Sequence, residues 1–339
     1  MVHMPTPPHL TPVPLRGRAF TGADARAAGL TRGQLGGRAY RSEGRDLWSC
    51  AAHPTPAAEP GQAAPKAMPL QAVTPGAVIS HVTAAKLLGL RLPARLRDSA
   101  ELHLTQTAGR KTPRRRGVVG HRAVLSADDL RVAEGILVTG PTRTVVDLAA
   151  MRRGRGLPVL TDDDLVVLLD GVIEEHAAGP RAGLVRLRSK PEVAEDLGRM
   201  AHVRGVGRVR RGLERSVPAA DSALETRMRL LLQAHGLDGW VTDLELSPRG
   251  HRCVWPDLAD EEHRIAVQIE GPHHDRPEQR HRDIERARAT VAAGWREIRL
   301  TWKDMLVDGP GSVPEAVRLI RAARQATPDR RRTPASDRR

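Results

Sequence analysis

The chain has 339 residues, enough for two or three domains, and carries a formal charge of +14 with only 2% aromatic residues. A surplus of Lys and Arg favours polyanions, because neutralising phosphates releases counterions, and the shortage of aromatic side chains leaves little platform for stacking unpaired bases. Duplex DNA is therefore the expected polyanion, while two distant cysteines, Cys50 and Cys253, argue against a disulfide framework or a Cys-based zinc site and fit a reducing cytoplasm. No run approaches the roughly eighteen apolar residues of a membrane span, so no membrane partner is expected.

Residues 1–16 are Pro-rich and expected to be disordered. Over 17–50, Thr21-Gly-Ala-Asp24 opens a short helix to Ala28, Gly29-Leu30 turns, and Thr31 caps a second helix over 32–37. Arg38-Ala-Tyr40 then leads through Glu43-Gly44-Arg45 to Leu47-Trp48. Helix, glycine turn, helix and basic hairpin outline a winged helix-turn-helix, whose second helix would lie in the major groove with Arg32, Arg38 and Arg41 on phosphates. A plain helical pair is the alternative. The stretch resembles the amino-terminal domain of AbiEi-type antitoxins, which implies a transcriptional autorepressor with a cognate toxin as protein partner.

Residues 51–76 are rich in Ala and Pro with few large apolar side chains, the composition of an extended linker. A central α+β region follows over 77–215. Val78-Ile-Ser80-His81 precedes a helix that stops at Gly89; Glu101 to Thr105, Val118-Val119 with His121 to Val124, and Gly135 to Thr139 read as strands, and a helix starts at Pro141. The run Arg110-Lys-Thr-Pro-Arg-Arg-Arg116, with Arg114 and Arg115 as candidate phosphate contacts, is too basic to bury; a solvated hairpin tip is its commoner fate. Arg143 and Asp147 stand at ion-pair spacing. Leu165 to Glu175 and Pro191 to Met200 read as further amphipathic helices. Gly205-x-Gly207, followed by Arg208, Arg210 and Arg211, lacks a preceding strand and reads as a basic hinge, not a phosphate cradle. Ser80-His81 followed by Thr139-x-Pro-Thr-Arg-Thr-Val-x-Asp147 is similar to the region that joins winged helix and nuclease-like domain in bacterial proteins of this kind.

Residues 216–326 hold the densest chemistry. Asp221 to His235 places Leu224, Met228, Leu231 and Leu232 on one helical face, with Glu225 in its first turn; Ser222-x-x-Glu225 is also a capping box. Val241 to Leu246, Trp255 to Ala259 and Arg264 to Glu270 read as strands, Asp275 to Ala293 as an Arg-rich helix containing Arg280 and Arg286, and Trp295 to Thr301 as a last strand. Alternation in Ile265, Val267 and Ile269 turns Gln268 and Glu270 to the face opposite those apolar residues, beside Asp257. Two carboxylates, Asp257 and Glu270, would suit magnesium or manganese, which takes few protein oxygens and leaves room for phosphate. The plainer reading makes Asp257 a turn residue and Glu270 a solvent-facing charge.

From Val217 to Leu306 this order of helix, three strands, helix, strand resembles the very-short-patch-repair-like endonucleases of the PD-(D/E)XK superfamily. The matching positions are Glu225, Asp257, Gln268-x-Glu270-Gly271, His273-His274, Asp283-x-x-Arg286 and Gly294-Trp295. The resemblance implies a restriction-endonuclease-like αβββαβ domain that hydrolyses DNA, with Asp257 and Glu270 on the metal, Glu225 orienting water, Gln268 a weak ligand or phosphate contact, and His274 protonating the leaving oxygen. Arg280 and Arg286 would contact DNA. The family usually has an acid where Gln268 stands and often a Lys at Glu270, so a domain that binds without cutting, in an antitoxin-like regulator, is the competing expectation. Residues 327–339 read as a basic disordered tail.

Overall fold

The computed structural model describes residues 11–53, 64–107, 110–112, 114–154, 156–177, 179–271, 277–307, 309 and 311–326, except for the side chains of 64, 65, 158 and 277–282. It is a mixed α/β protein with several sheets. Two compact units divide it: residues 1–164 with 195–210, and residues 165–194 with 211–339.

In the first unit, β1 (Phe20–Thr21), α1 (Gly22–Ala27), α2 (Arg32–Leu35), β2 (Tyr40–Gly44) and β3 (Leu47–Cys50) form a small group with a sheet ordered β1-β3-β2. Each short helix is started by a reciprocal cap, Thr21 with Asp24 and Thr31 with Gln34, which satisfies backbone N–H groups that one or two helical turns cannot. Leu15, Phe20, Ala25, Leu30, Leu35 and Tyr40 make the core beneath them. Leu15 belongs to a 3-10 turn over Val13–Leu15, and Thr11 Oγ1 lies 3.0 Å from Cys50 Sγ, so the ordered chain starts earlier than the Pro-rich composition suggests.

The expected linker is partly helical. In α3 (Ala64–Ala72), Ala67 and Leu70 are buried one turn apart, and Gln71 bonds both the carbonyl and the N–H of Leu137 across 2.7 and 3.0 Å. Sparse apolar residues at the right spacing were enough to dock it. Then come β4 (Ala77–Ile79), α4 (His81–Leu87), α5 (Ala94–Arg97), β5 (Leu102–Gln106), β6 (Val118–Arg122), β7 (Leu130–Ala133), β8 (Ile136–Thr139) and α6 (Pro141–Ala150). The sheet runs β6-β5-β4-β8-β7 around Leu70, Ile79, Leu104, Ile136 and Val138. Arg143 is buried and held by Asp147 at 2.9 Å and Asp129 at 3.4 Å. A two-strand ribbon, β9 (Arg152–Arg153) with β10 (Leu157–Pro158), follows.

Next come α7 (Asp162–Val172), α8 (Lys190–Arg199) and α9 (Val206–Arg215). The glycine pair expected to hinge instead opens α9: Gly205 has φ +99°, and a Cβ there would sit 2.7 Å from the Val146 carbonyl, so only glycine fits. The second unit also begins earlier than the expected break at 215/216, because Asp170 of α7 is bonded by Val217, Thr226 and Arg229.

That unit continues with α10 (Ala223–Ala234), β11 (Trp240–Val241), β12 (Leu258–Asp260), β13 (Ile265–Glu270), α11 (Pro277–Ala292), β14 (Arg296–Thr301) and α12 (Glu315–Ala326). Its sheet is ordered β11-β12-β13-β14, antiparallel until the parallel β13–β14 pair. Alternation gives the sheet two faces. Leu258, Ile265, Val267 and Leu300 pack with Met228 and Leu232 of α10 and with Val317 and Ile320 of α12. Ala259 and Ala266 face Ala289 of α11, and small residues there let that helix come close. The first strand is shorter than the expected 241–246, because Asp243 adopts φ +60° and leaves the pairing register.

Candidate functional site

A cavity of about 770 Å³ in the second unit gathers most of the acidic residues singled out above. Glu225 reaches it from the first turn of α10, where Ser222 caps its backbone N–H at 3.2 Å and its own carboxylate accepts from the Asp221 N–H at 2.7 Å. The capping role and a place in the cavity thus coexist. Asp257 stands one residue before β12. Since Leu258 pairs with Val267, Asp257 falls opposite Gln268, on the face of Ala266 and α11. Its Oδ2 accepts from the Ile269 N–H at 2.6 Å.

Burial and the Asp257 charge push the Glu225 carboxyl up to about 8. Asp257 is itself raised to about 6, chiefly by burial, against the opposing pull of the Ile269 N–H and the Arg286 guanidinium. Two carboxyls that resist ionising together resemble the pairs found in sites built for proton transfer or a cation. Opposite them, Gln268 Nε2, Trp255 Nε1 and Arg286 Nε are buried donors with no hydrogen-bond partner among the described residues, and all three belong to residues lining the cavity. Unmatched donors favour an oxygen-rich anion such as a phosphodiester.

Sequence reasoning missed His176 and Asp243. The bend that ends β11 lets Asp243 Oδ2 accept the Ala177 N–H at 2.8 Å and brings Oδ1 to 3.4 Å from His176 Nδ1; Asp221 Oδ1 lies 2.9 Å from the other ring nitrogen. All three line the cavity. Their separation along the chain hides them, and the left-handed Asp243 leaves no sequence signature.

Glu270 is exposed, 3.3 Å from Arg299, and is not among the residues lining the cavity, so Asp257 has Glu225 and Gln268 for neighbours there instead. Arg286 lines it and pairs with Asp283 at 3.2 Å. His273, His274 and the side chain of Arg280 lie outside the described residues. In the first unit Arg32, Arg38, Arg41 and Arg114 are exposed. Arg115 instead donates to the Arg45 carbonyl in the β2–β3 turn, docking the basic run against the hairpin.

The donor set fits a divalent ion in part. Asp257 and Glu225 are carboxylates whose mutual repulsion a cation would relieve, whereas Gln268 offers an N–H and Arg286 a competing positive charge.

Among the described residues no helix is long and apolar enough to cross a membrane. No curated protein matches the chain. Among solved structures, the crystal structure of the Rv2827c protein from Mycobacterium tuberculosis is similar at 16% identity and a TM-score of 0.22, over 63% of this chain and 71% of that one. Residues 77–162, the five-stranded sheet with its helices α4 to α6, match the family model of the AbiEi antitoxin C-terminal domain.

Proposed function

We propose that this protein is a DNA-binding regulator of the antitoxin type. The match of residues 77–162 to an antitoxin domain carries the reading. It is supported by the small helical group before that domain, whose hairpin β2–β3 follows α2 as a wing follows a recognition helix, and by the exposed Arg32, Arg38, Arg41 and Arg114 on the same unit. Duplex DNA is the polyanionic partner and a cognate toxin the protein partner. The test is binding to the DNA upstream of its own gene over a salt series. The expected result is preference for that DNA over a scrambled duplex, with affinity falling steeply as salt rises. Equal, weak binding to both would remove the regulator.

A second reading is metal-dependent hydrolysis of DNA in the second unit, by a fold of the restriction-endonuclease type. The meeting of Glu225 and Asp257 in one cavity favours it. Asp257 and Glu225 would hold magnesium or manganese, which when bound would activate water and stabilise an in-line displacement. Gln268 and Arg286 would orient the phosphate through N–H groups that have no partner among the described residues, and Glu225, whose carboxyl burial pushes up, would have to give up its proton to serve as a ligand. Plasmid nicking that needs either ion and disappears in Asp257→Ala, with DNA binding retained, would establish this reading. An intact plasmid under the same conditions would leave the cavity a binding pocket.

A further inference from the structure

The central sheet of the first unit holds three histidines whose chemistry neither reading uses. His81 opens α4 directly after β4, His103 lies in β5 and His121 in β6, and those three strands are neighbours in the sheet. The register explains the meeting. The Ser80 N–H donates to the His103 carbonyl at 3.1 Å, and in the parallel β5–β6 pair His121 stands beside Thr105, two residues from His103 and so on the same face. The rings form one stack: His81 and His121 lie 3.5 Å apart between centroids at 13°, and His103 and His121 5.2 Å apart at 14°. One ligand nitrogen from each lies within 4.8 Å of the other two.

We propose that His81, His103 and His121 form a three-histidine site for a zinc-type divalent transition ion. His103 Nδ1 and His121 Nε2 are 3.0 Å apart. Two nitrogens bound tetrahedrally at about 2.0–2.1 Å from zinc are separated by roughly 3.3 Å, so these two already stand near the spacing of ligands on one ion, and the stacked rings need only turn for their lone pairs to converge on it. His81 and His103 are buried and His121 half-buried. Burial holds all three below their ordinary values, His103 and His121 at about 4, and neighbouring imidazoles add to the effect at His81 and His103, so the rings are neutral at physiological pH.

The surroundings orient the ligands. Ser80 Oγ accepts from Thr105 Oγ1 at 2.7 Å and lies 2.9 Å from His81 Nδ1, where it can also accept and so leave Nε2 for the metal. The charged groups near the cluster are Arg143, which is committed to Asp129 and Asp147, and Lys86, which donates to the Ser99 carbonyl at 2.5 Å. With no carboxylate among the ligands, imidazole-preferring ions are selected over magnesium or calcium. His81 also holds φ +51°, a left-handed conformation that is unfavourable for a non-glycine residue and persists only where the surroundings impose it. Three ligands leave a fourth position for water or a partner's side chain, with the half-buried His121 edge as the way in.

The test titrates full-length, chelator-treated protein with zinc against a chromophoric competitor, and with cobalt to read coordination by its visible absorption. One ion per chain at micromolar affinity or better, with a tetrahedral cobalt spectrum, is expected. His103→Gln and the less buried His121→Asn should each weaken zinc at least tenfold, while His202→Gln, at an exposed histidine elsewhere in the first unit, should leave the affinity unchanged. Melting in chelator shows whether each variant is folded, and zinc should raise the midpoint of the wild type but not of His121→Asn. Absence of a one-to-one complex, or zinc affinity that folded His121→Asn retains, overturns the site.

Discussion

Asp170 and the pair Glu225–Asp257 are buried carboxylates of the same unit, and they differ in what the chain has placed around them. Asp170 accepts from the Val217 N–H at 2.9 Å, from Thr226 Oγ1 at 2.8 Å and from Arg229 at 2.8 Å, and that arginine also donates to the Arg215 carbonyl at 3.0 Å. Glu225 and Asp257 each receive a backbone N–H, line the same open cavity, and the charge of Asp257 acts on Glu225. A network closed on itself ties α7 to α10. A pair left with its charges in conflict, beside buried donor atoms that have no partner among the described residues, is a place for something from outside.

Removing one partner from the closed network should do the most damage. Asp170→Ala leaves the Arg229 guanidinium buried and uncompensated, and is expected to destabilise the second unit by about 3–5 kcal/mol in urea unfolding. A loss below 1 kcal/mol would mean that water reaches Arg229 and that the contrast between the two clusters is overstated.

The open pair should respond in the opposite sense. Glu225 has a folded value raised above its unfolded one, from 4.5 to about 8, so the folded state binds the extra proton within that window and stability falls as pH rises through it. In metal-free buffer Glu225→Gln, which keeps the acceptor oxygen for the Asp221 N–H, should stabilise the protein at pH 8 by on the order of 1–3 kcal/mol and have little effect at pH 4.5. Urea midpoints of both forms at the two pH values measure this. A variant as pH-dependent as the parent would show that Glu225 does not bear the conflict.

The same contrast explains what the sequence could disclose. Periodicity located the helices and strands of the second unit because one sheet face is apolar and the other small: Ile265, Val267 and Leu300 against Ala259 and Ala266. Asp257, Gln268 and Glu225 could be singled out because each lies within a few residues of a readable strand or helix. His176 and Asp243 could not, since they meet only after a left-handed residue bends the chain, and local spacing carries no record of that. The helix α3 stayed hidden for another reason: its prolines and alanines read as linker, and only Ala67 and Leu70 on the sheet reveal its face.

Smaller effects separate the two units as DNA-binding surfaces. Arg41→Ala, on the exposed hairpin, should weaken duplex binding uniformly across sequences and reduce the salt slope by about 1, as loss of one phosphate contact does. Arg286→Ala should leave that slope unchanged if the first unit alone holds the DNA. A slope reduced by Arg286→Ala and untouched by Arg41→Ala would move the DNA to the cavity.

Glu270→Gln carries the smallest expected effect. The Glu270 side chain is 46% exposed and its partner Arg299 also donates to Glu297 at 2.8 Å, so the arginine keeps a carboxylate when Glu270 is neutralised. Exposed pairs of this kind contribute about 0.5 kcal/mol or less, and thermal melts of variant and parent should nearly coincide. Magnesium affinity is the sharper measurement. Asp257→Asn should weaken it if the cavity holds an ion, and Glu270→Gln should not, because Glu270 is absent from the cavity lining. Equal losses from both substitutions would place the ion between β12 and the end of β13 and outside the cavity that Glu225 lines.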